Sequence, residues 1–190
     1  MRVSGGKAKG IPLRASKAPD LRPATEANRE RLFSSLGQKV MNARVLDLFA
    51  GTGSYGLEAL SRGAAEAYFV EKNRKAIKDL HDNLSKVLKS ADLNQEVGRI
   101  FQRDVLDYLQ SSPNKAYDII FLDPPYAEIN PLREKIFSRI RNNQFADGDS
   151  LLIHECPVGE SKIPEGWELI RILGKAAKGS PIFHLFKISE

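Results

Sequence analysis

The segment most informative about the fold is Val45-Leu-Asp-Leu-Phe-Ala-Gly-Thr-Gly53. It begins as a short apolar run, which is typical of a buried strand, and it passes through glycines into a predicted helix from residue 54. Glycine at such a junction allows a tight turn and lets a ligand approach the backbone closely. A tight strand-to-helix turn that binds no ligand is the alternative interpretation.

Strands and helices alternate along the rest of the chain. The pattern predicts strands over residues 45–49, 67–70, 97–101, 117–122 and 151–155, and a closing pair over 167–173 and 182–188. Helices are predicted over residues 25–36, 54–62, 73–89, 105–109 and 131–141. This alternation predicts an α/β fold, with a mostly parallel central sheet, helices on both faces and a C-terminal antiparallel pair.

Composition narrows the class of protein. The 190 residues are 42% hydrophobic, which suits a single packed domain, and no run reaches the roughly 20 apolar residues of a membrane span. No apolar segment follows the basic N-terminus, so we expect no signal peptide. The lone Cys156 fits a reduced, cytoplasmic setting, and the scattered histidines predict no metal site.

The net charge of +5 is concentrated at the N-terminus. Residues 1–22 contain one acidic and six basic residues, whereas residues 23–190 are balanced. We therefore divide the chain into a basic arm, 1–22, and a single domain, 23–190. The arm is expected to bind a polyanion, although a solubilising tail would have the same composition. The basic residues assigned to that contact are Lys7, Lys9, Arg14 and Arg22.

Acidic residues follow three of the predicted strands, at the sheet edge where ligands bind. The spelling Gly51-Thr-Gly-Ser-Tyr-Gly56 would suit a nicotinamide dinucleotide, with Glu71 accepting hydrogen bonds from a ribose. Asp47, however, would repel a pyrophosphate and would suit a cationic ligand such as S-adenosylmethionine. Asp47 could also bond the loop amides, and Asp104 could simply cap the next helix.

A second motif, Asp123-Pro-Pro-Tyr126, follows the most apolar strand. A base amino group is a poor nucleophile, so its two hydrogens must be held by acceptors for its lone pair to face a methyl donor. The Asp123 carboxylate and the Pro124 carbonyl can be those acceptors. Pro124 and Pro125 stiffen the loop and remove competing N–H donors, and Tyr126 can stack on an extruded base. The alternative is a turn with an Asp cap.

Val45–Gly53 resembles motif I of the class I methyltransferases, which have a Rossmann-like fold. The resemblance implies S-adenosylmethionine as cofactor, with Glu71 at its ribose and Asp104 at its adenine amino group. The implied donor contacts within and beside the motif are Asp47, Phe49, Ala50, Gly51 and Gly53. Asp-Pro-Pro-Tyr is similar to the signature of enzymes that methylate adenine N6, cytosine N4, guanine N2 or protein glutamine.

The order of segments carries a closer resemblance. The Gly5-Gly6-Lys7 arm, Leu21–Thr25, Arg29–Phe33, motif I, Leu57–Ala64 and Asp-Pro-Pro-Tyr follow one another as in the bacterial 16S ribosomal RNA guanine-N2 methyltransferase D family. That resemblance implies a monomeric enzyme acting on one guanine of 16S rRNA, in a partly assembled 30S particle. A DNA adenine or protein glutamine methyltransferase is the alternative, and an NAD-dependent oxidoreductase a remote one.

Two segments depart from the family. Arg22-Pro-Ala-Thr-Glu26 lacks a hydroxyl that the family pattern has, and residues 178–184 differ from the expected linker between the last two strands. These differences concern the substrate rather than the reaction. For the segment around Thr25 and Arg29 two interpretations stand. The segment contacts the donor carboxylate or the RNA, or Thr25 is a helix cap and Arg29 lies on a solvated helix face.

Overall fold

The computed structural model describes residues 1–15, 26–157, 159–174 and 182–189, without the side chains of residues 126–131. Within these ranges, seven strands form one sheet. They are β1 (Arg44–Leu48), β2 (Glu66–Glu71), β3 (Gly98–Gln102), β4 (Ile119–Leu122), β5 (Leu151–Cys156), β6 (Trp167–Leu173) and β7 (Ile182–Ile188). The predicted strands are all present, with ends shifted by two residues or fewer.

Five α-helices accompany the strands in the described part of the chain. They are α1 (Glu26–Leu36), α2 (Ser54–Ser61), α3 (Arg74–Ala91), α4 (Val105–Tyr108) and α5 (Tyr126–Asn142). Short 3₁₀ turns lie at Gly37–Val40 and Gln95–Val97. Asn73 starts α3 as its N-cap, since its side chain accepts from the backbone N–H groups of Lys75 and Ala76.

The sheet has the order β3-β2-β1-β4-β5-β7-β6. The first five strands are parallel, and β7 is antiparallel to both β5 and β6. Because the order reverses direction at β1 and β4, the carboxyl ends of these two strands form the switch point where ligands bind in such sheets. The predicted parallel sheet with a C-terminal antiparallel pair is confirmed.

Each face of the sheet carries its own core, because successive strand residues point to opposite sides. On one face Val45 and Phe121 pack with α1, α2 and α3. On the other Leu46 and Leu122 pack with α4 and α5. Helices on both faces are therefore confirmed, and the two cores hold the carboxyl edge of the sheet rigid.

The first 15 residues fold back onto the domain. Val3 N–H donates to the Ile11 carbonyl and Leu13 N–H to the Met1 carbonyl, both at 3.0 Å, while Val3 and Leu13 are buried. Within the described part of the basic arm, apolar side chains are thus packed against the body. The proposed boundary at residue 22 lies outside the described residues and stays a prediction.

Helix α5 begins earlier than the sequence pattern predicts. It starts at Tyr126, five residues before the predicted start at Pro131. The N-cap residue is Pro125, with φ −54° and ψ 129°, so Asp123 to Pro125 form a three-residue connection between β4 and α5. Pro131 lies within α5 rather than at its start, and the predicted start was therefore wrong.

Candidate active site

The glycine loop between β1 and α2 depends on left-handed backbone. Phe49, Gly51 and Gly53 have φ of 59°, 54° and 86°. A Cβ on Gly53 would lie 2.3 Å from the Leu80 side chain, so close packing as well as φ requires glycine there. Ala50 N–H donates to the Val70 carbonyl at 3.0 Å, which ties the loop to β2. The loop is therefore held in a fixed shape at the end of β1.

Glu71 ends β2 beside this loop. One carboxylate oxygen accepts from Gly51 N–H at 2.9 Å and the other from Asn73 N–H at 2.7 Å. Each oxygen keeps a lone pair, and the side chain stays half-buried at the rim. The predicted ribose contact is compatible with this position and stays a prediction.

Asp47 lies beneath the loop and is 1% exposed. Its Oδ2 accepts from Gly56 N–H at 2.9 Å, while Oδ1 has no hydrogen-bond partner among the described residues. Burial raises the pKa of Asp47 to about 8. The hydrogen bond from Gly56 N–H lowers this pKa, and the nearby negative charge of Glu71 raises it. A buried oxygen without a donor suits a ligand that brings a positive charge.

Asp104 caps α4. Its Oδ1 accepts from Leu106 N–H at 2.8 Å, and Lys72 Nζ lies 3.8 Å from Oδ2. The capping interpretation therefore describes the side chain as it stands. A contact with an adenine amino group would have to use the remaining acceptor capacity of the half-buried carboxylate.

The Asp-Pro-Pro segment follows β4 at the same edge. Asp123 is partly buried, Pro124 is buried and Pro125 is exposed. Burial raises the pKa of Asp123 well above its usual range, and the negative charges of Glu155 and Asp47 raise it further. The side chain of Tyr126 lies outside the described residues. The structure thus brings the predicted Asp47 and Asp123 within electrostatic reach of each other.

Sequence reasoning missed two residues of this edge, Glu155 and Tyr55. Glu155 lies near the end of β5 and is 4% exposed, and the hydroxyl of the buried Tyr55 donates to it. Burial raises the pKa of Glu155 to about 7, against the lowering effect of the Tyr55 bond. A carboxylate near the end of an otherwise buried strand was the signal that could have found it.

The basic residues of the arm differ in their surroundings. Lys7 and Lys9 are exposed, and Lys7 N–H donates to the Ser61 carbonyl at 2.7 Å. Arg14 is also exposed and pairs with Asp82 at 2.8 Å. Arg22 lies outside the described residues. Lys7 and Lys9 therefore project from a segment that the body fixes in place.

Arg29 is fully buried, so the interpretation as a solvated helix residue was wrong. Its Nε lies 3.2 Å from Glu58, and it donates to the Arg2 carbonyl. Glu58 also accepts from Ser4 N–H at 2.8 Å and from Arg62 at 2.8 Å. The buried charge of Arg29 thus fastens the N-terminal segment to α1 and α2.

None of the helices in the described residues is long and apolar enough to cross a bilayer. The same residues contain no group of three or more His, Cys, Asp or Glu side chains arranged to hold a metal ion.

Known proteins resemble the chain over nearly its whole length. A family model described as Conserved hypothetical protein 95 matches residues 1–187. A protein named Ribosomal RNA small subunit methyltransferase D from Buchnera aphidicola is 34% identical, covering 89% of this chain and 85% of its own. The protein of that name from Escherichia coli is 33% identical over 90% of this chain and 83% of its own.

Solved structures agree with this. A candidate methyltransferase from Escherichia coli, yhhF, superposes with a TM-score of 0.83 at 29% identity, covering 100% of this chain and 98% of that one. A methyltransferase-like structure solved with S-adenosylhomocysteine, SMU.776, has a TM-score of 0.66 at 15% identity, covering 89% of this chain and 50% of that one. At that identity the likeness shows the fold alone.

The sheet order, the antiparallel β7 and the glycine loop above a buried aspartate define a Rossmann-like class I methyltransferase fold. Within that class, the chain belongs to the Conserved hypothetical protein 95 family, whose members include the proteins named Ribosomal RNA small subunit methyltransferase D. The family resemblance seen in the sequence is confirmed.

Proposed function

We propose that this protein is an S-adenosylmethionine-dependent methyltransferase that methylates the exocyclic N2 of one guanine in 16S rRNA. Its substrate is the assembled or partly assembled 30S subunit, on which it acts as a monomer in the cytoplasm. The relatives' names support an rRNA substrate. The geometry of the edge supports transfer from a cationic donor to an amino group.

The observation on which the proposal rests is that Asp47 and Asp123 lie near each other at the carboxyl edge of the sheet. Asp47 offers a buried oxygen without a hydrogen-bond donor, directly beneath the glycine loop. Asp123 follows β4, the strand next to β1, and its pKa responds to the charge of Asp47. A cationic donor and an amino group would therefore lie next to each other.

S-adenosylmethionine fits the donor side because it is positively charged and contains no phosphate. Asp47 would hold its ammonium group, either directly or through water, Glu71 its ribose, and Asp104 its adenine. Phe49 to Gly53 would shape the floor beneath it. When bound, it supplies a methyl group on a sulfonium centre, which is open to attack by a nitrogen lone pair.

Asp123 and Pro124 act on the acceptor side. The Asp123 carboxylate and the Pro124 carbonyl would accept the two hydrogens of the guanine amino group, which turns its lone pair toward the donor. Pro125 is exposed at the entrance to this loop and contributes no N–H that could compete. Tyr126 is proposed to stack on the extruded base.

The exposed Lys7 and Lys9 are proposed to contact phosphates of the RNA, together with Arg14 and Arg22. Lys7 and Lys9 lie on a segment that the Arg29–Glu58 pair and Ser4 attach to the domain. Lys7 binds the carbonyl of Ser61, at the end of α2 away from the glycine loop. A basic surface fixed there can bind a large structured RNA at a distance from the reacting base, whereas a solubilising tail would not need such attachment.

In the test, the purified protein is incubated with labelled S-adenosylmethionine and one of four substrates. These are 30S subunits, naked 16S rRNA, duplex DNA and a protein extract free of RNA. We expect label in the 30S sample, located at N2 of a single guanine by nuclease digestion and mass spectrometry. Transfer to adenine N6 of the DNA or to glutamine would replace the proposal with the alternative, and tight binding of NAD would contradict both.

A further inference from the structure

Three carboxylates share one face of the sheet at its carboxyl edge. Leu122 of β4 pairs with His154 of β5, so Asp123 and Glu155, each one residue further along, lie side by side on strands about 4.8 Å apart. Asp47 pairs with Phe121 of β4 and therefore points to the same face as Asp123. The face is the one that α2 covers.

Tyr55 of α2 fixes Glu155 in this cluster. Its ring stacks on Phe121 with the centroids 5.1 Å apart and meets the edge of Phe183 at 6.3 Å. The hydroxyl donates to Oε2 of Glu155. Burial and the charges of Glu155, Asp123 and Asp47 raise the pKa of Tyr55 well above its usual range, so the phenol remains a donor.

Two carboxylates face Asp123, namely Glu155 on β5 and Asp47 on β1. The third group near it is the neutral phenol of Tyr55 on α2. Among the ion pairs of the described residues, none joins a lysine or arginine to any of the three carboxylates. A like charge beside a carboxylate makes that carboxylate a stronger base.

We propose that Glu155, held in place by the Tyr55 hydroxyl, makes Asp123 basic enough to take up the proton that the amino nitrogen loses on methylation. This inference rests on the proposed function. The nitrogen lone pair forms the bond to the methyl carbon as the carbon–sulfur bond breaks and its electron pair stays on sulfur. The nitrogen, now positively charged, gives one proton to the Asp123 carboxylate and keeps the electron pair of the N–H bond. Glu155 is a positioning residue, since it acts through Asp123.

The test is the pH profile of single-turnover methylation of 30S subunits at saturating donor. In the wild type the rate rises with pH as Asp123 loses its proton. Glu155→Gln keeps the size of the side chain and its bond to Tyr55 but removes the charge. The rising limb should then move to lower pH by about one unit, and the plateau rate should fall about tenfold because Asp123 is a weaker base.

Tyr55→Phe provides a second variant, which keeps the ring stacking and is useful if Glu155→Gln does not fold. Without its donor Glu155 holds a negative charge less readily, so the limb should move in the same direction by a smaller amount. Glu134→Gln is the matched control, because this exposed glutamate of α5 pairs with Lys162 away from the cluster and should leave the profile unchanged.

If the rising limb of the pH profile stays at the same pH in both variants, the inference is overturned, even if the rates fall. A purely structural role would lower the rate at every pH alike. A failure of the proposed function looks different: the wild type itself would then transfer no methyl group to 30S subunits.

Discussion

The side chain of Asn83 binds both backbone groups of Arg14. Its Oδ1 accepts from Arg14 N–H at 2.7 Å, and its Nδ2 donates to the Arg14 carbonyl at 2.9 Å. The same Nδ2 donates to the Thr52 carbonyl in the glycine loop at 3.1 Å. Asn83 is fully buried, so one amide on α3 connects the basic N-terminal segment to the proposed donor loop.

Asn83→Leu should lower the free energy of unfolding by about 1–3 kcal/mol, because it leaves polar backbone groups without partners. It should also weaken binding of S-adenosylhomocysteine, since Thr52 loses its support. Urea unfolding and calorimetry measure the two effects. His81→Leu, at an exposed position of the same helix, should change neither. Normal donor binding in a destabilised Asn83→Leu protein would show that the connection is only structural.

Donor binding should depend on the ionisation of Asp47. Burial raises the pKa of Asp47 to about 8, so the carboxylate is largely protonated at pH 6.5 and largely charged at pH 9. A cationic ligand prefers the charged form, and the dissociation constant of S-adenosylmethionine should therefore fall about tenfold from pH 6 to pH 7.5, where the ammonium group of the donor keeps most of its charge.

Asp47→Asn is the matched control for this effect, because its amide oxygen can still accept from Gly56. It should bind the donor weakly and with little change over the same pH range. Calorimetry at several pH values measures both proteins. A steep pH dependence that persists in Asp47→Asn would mean that another group controls binding.

Two histidines form a buried pair that should make the fold sensitive to acid. His154 and His184 lie opposite each other on β5 and β7, and none of their ring nitrogens has a hydrogen-bond partner among the described residues. Burial, with the charge of Arg133 and the neighbouring His184, lowers the pKa of His154 to about 3. The unfolded chain binds this proton near pH 6.5 and the folded chain only near pH 3.

The contribution of His154 to stability is therefore fully present above pH 6.5 and is lost as the pH falls toward 3. Between pH 7.5 and pH 5 the wild type should lose about 1–2 kcal/mol more than His154→Leu does. Urea unfolding at both pH values measures the difference. An equal loss in the two proteins would place the acid sensitivity elsewhere.

The basic arm should serve the RNA and not the donor. Replacing Lys7 and Lys9 by Ala should weaken RNA binding and reduce the slope of log affinity against log salt by about 1–2. Donor affinity should stay constant. The matched control replaces Lys86 and Lys89, two exposed lysines of α3, by Ala. An equal loss of slope in the control would mean that the arm contributes only to the overall positive charge of the protein and has no specific contact with the RNA.

The sequence predicted the parts of the site that local patterns reveal. Asp47 lies within β1 just before the glycine loop, Glu71 ends β2, and Asp123 follows β4. The parallel topology then brings the three to one edge. Glu155 was missed although it ends the predicted fifth strand, because only the pairing of β5 with β4 shows that it lies beside Asp123.

The buried ion pair of Arg29 and Glu58 was equally invisible in the sequence. The two residues lie on different helices, 29 positions apart, and neither helix pattern indicates that the other packs against it. Charged residues are rarely fully buried, so a solvated helix face was one of two expectations for Arg29, beside contact with the donor carboxylate or RNA. Tertiary contacts between helices override that expectation.

The most direct test of the account is single-turnover methylation of 30S subunits by Asp123 variants at saturating donor. Asp123→Ala should cut the rate roughly 10²–10⁴-fold, because a group that acts mainly in the transition state is lost. Asp123→Asn keeps one acceptor oxygen and should retain more activity than the Ala variant. Methylation of guanine N2 by Asp123→Ala at the wild-type rate would contradict the account, and the loop after β4 would then be only a turn.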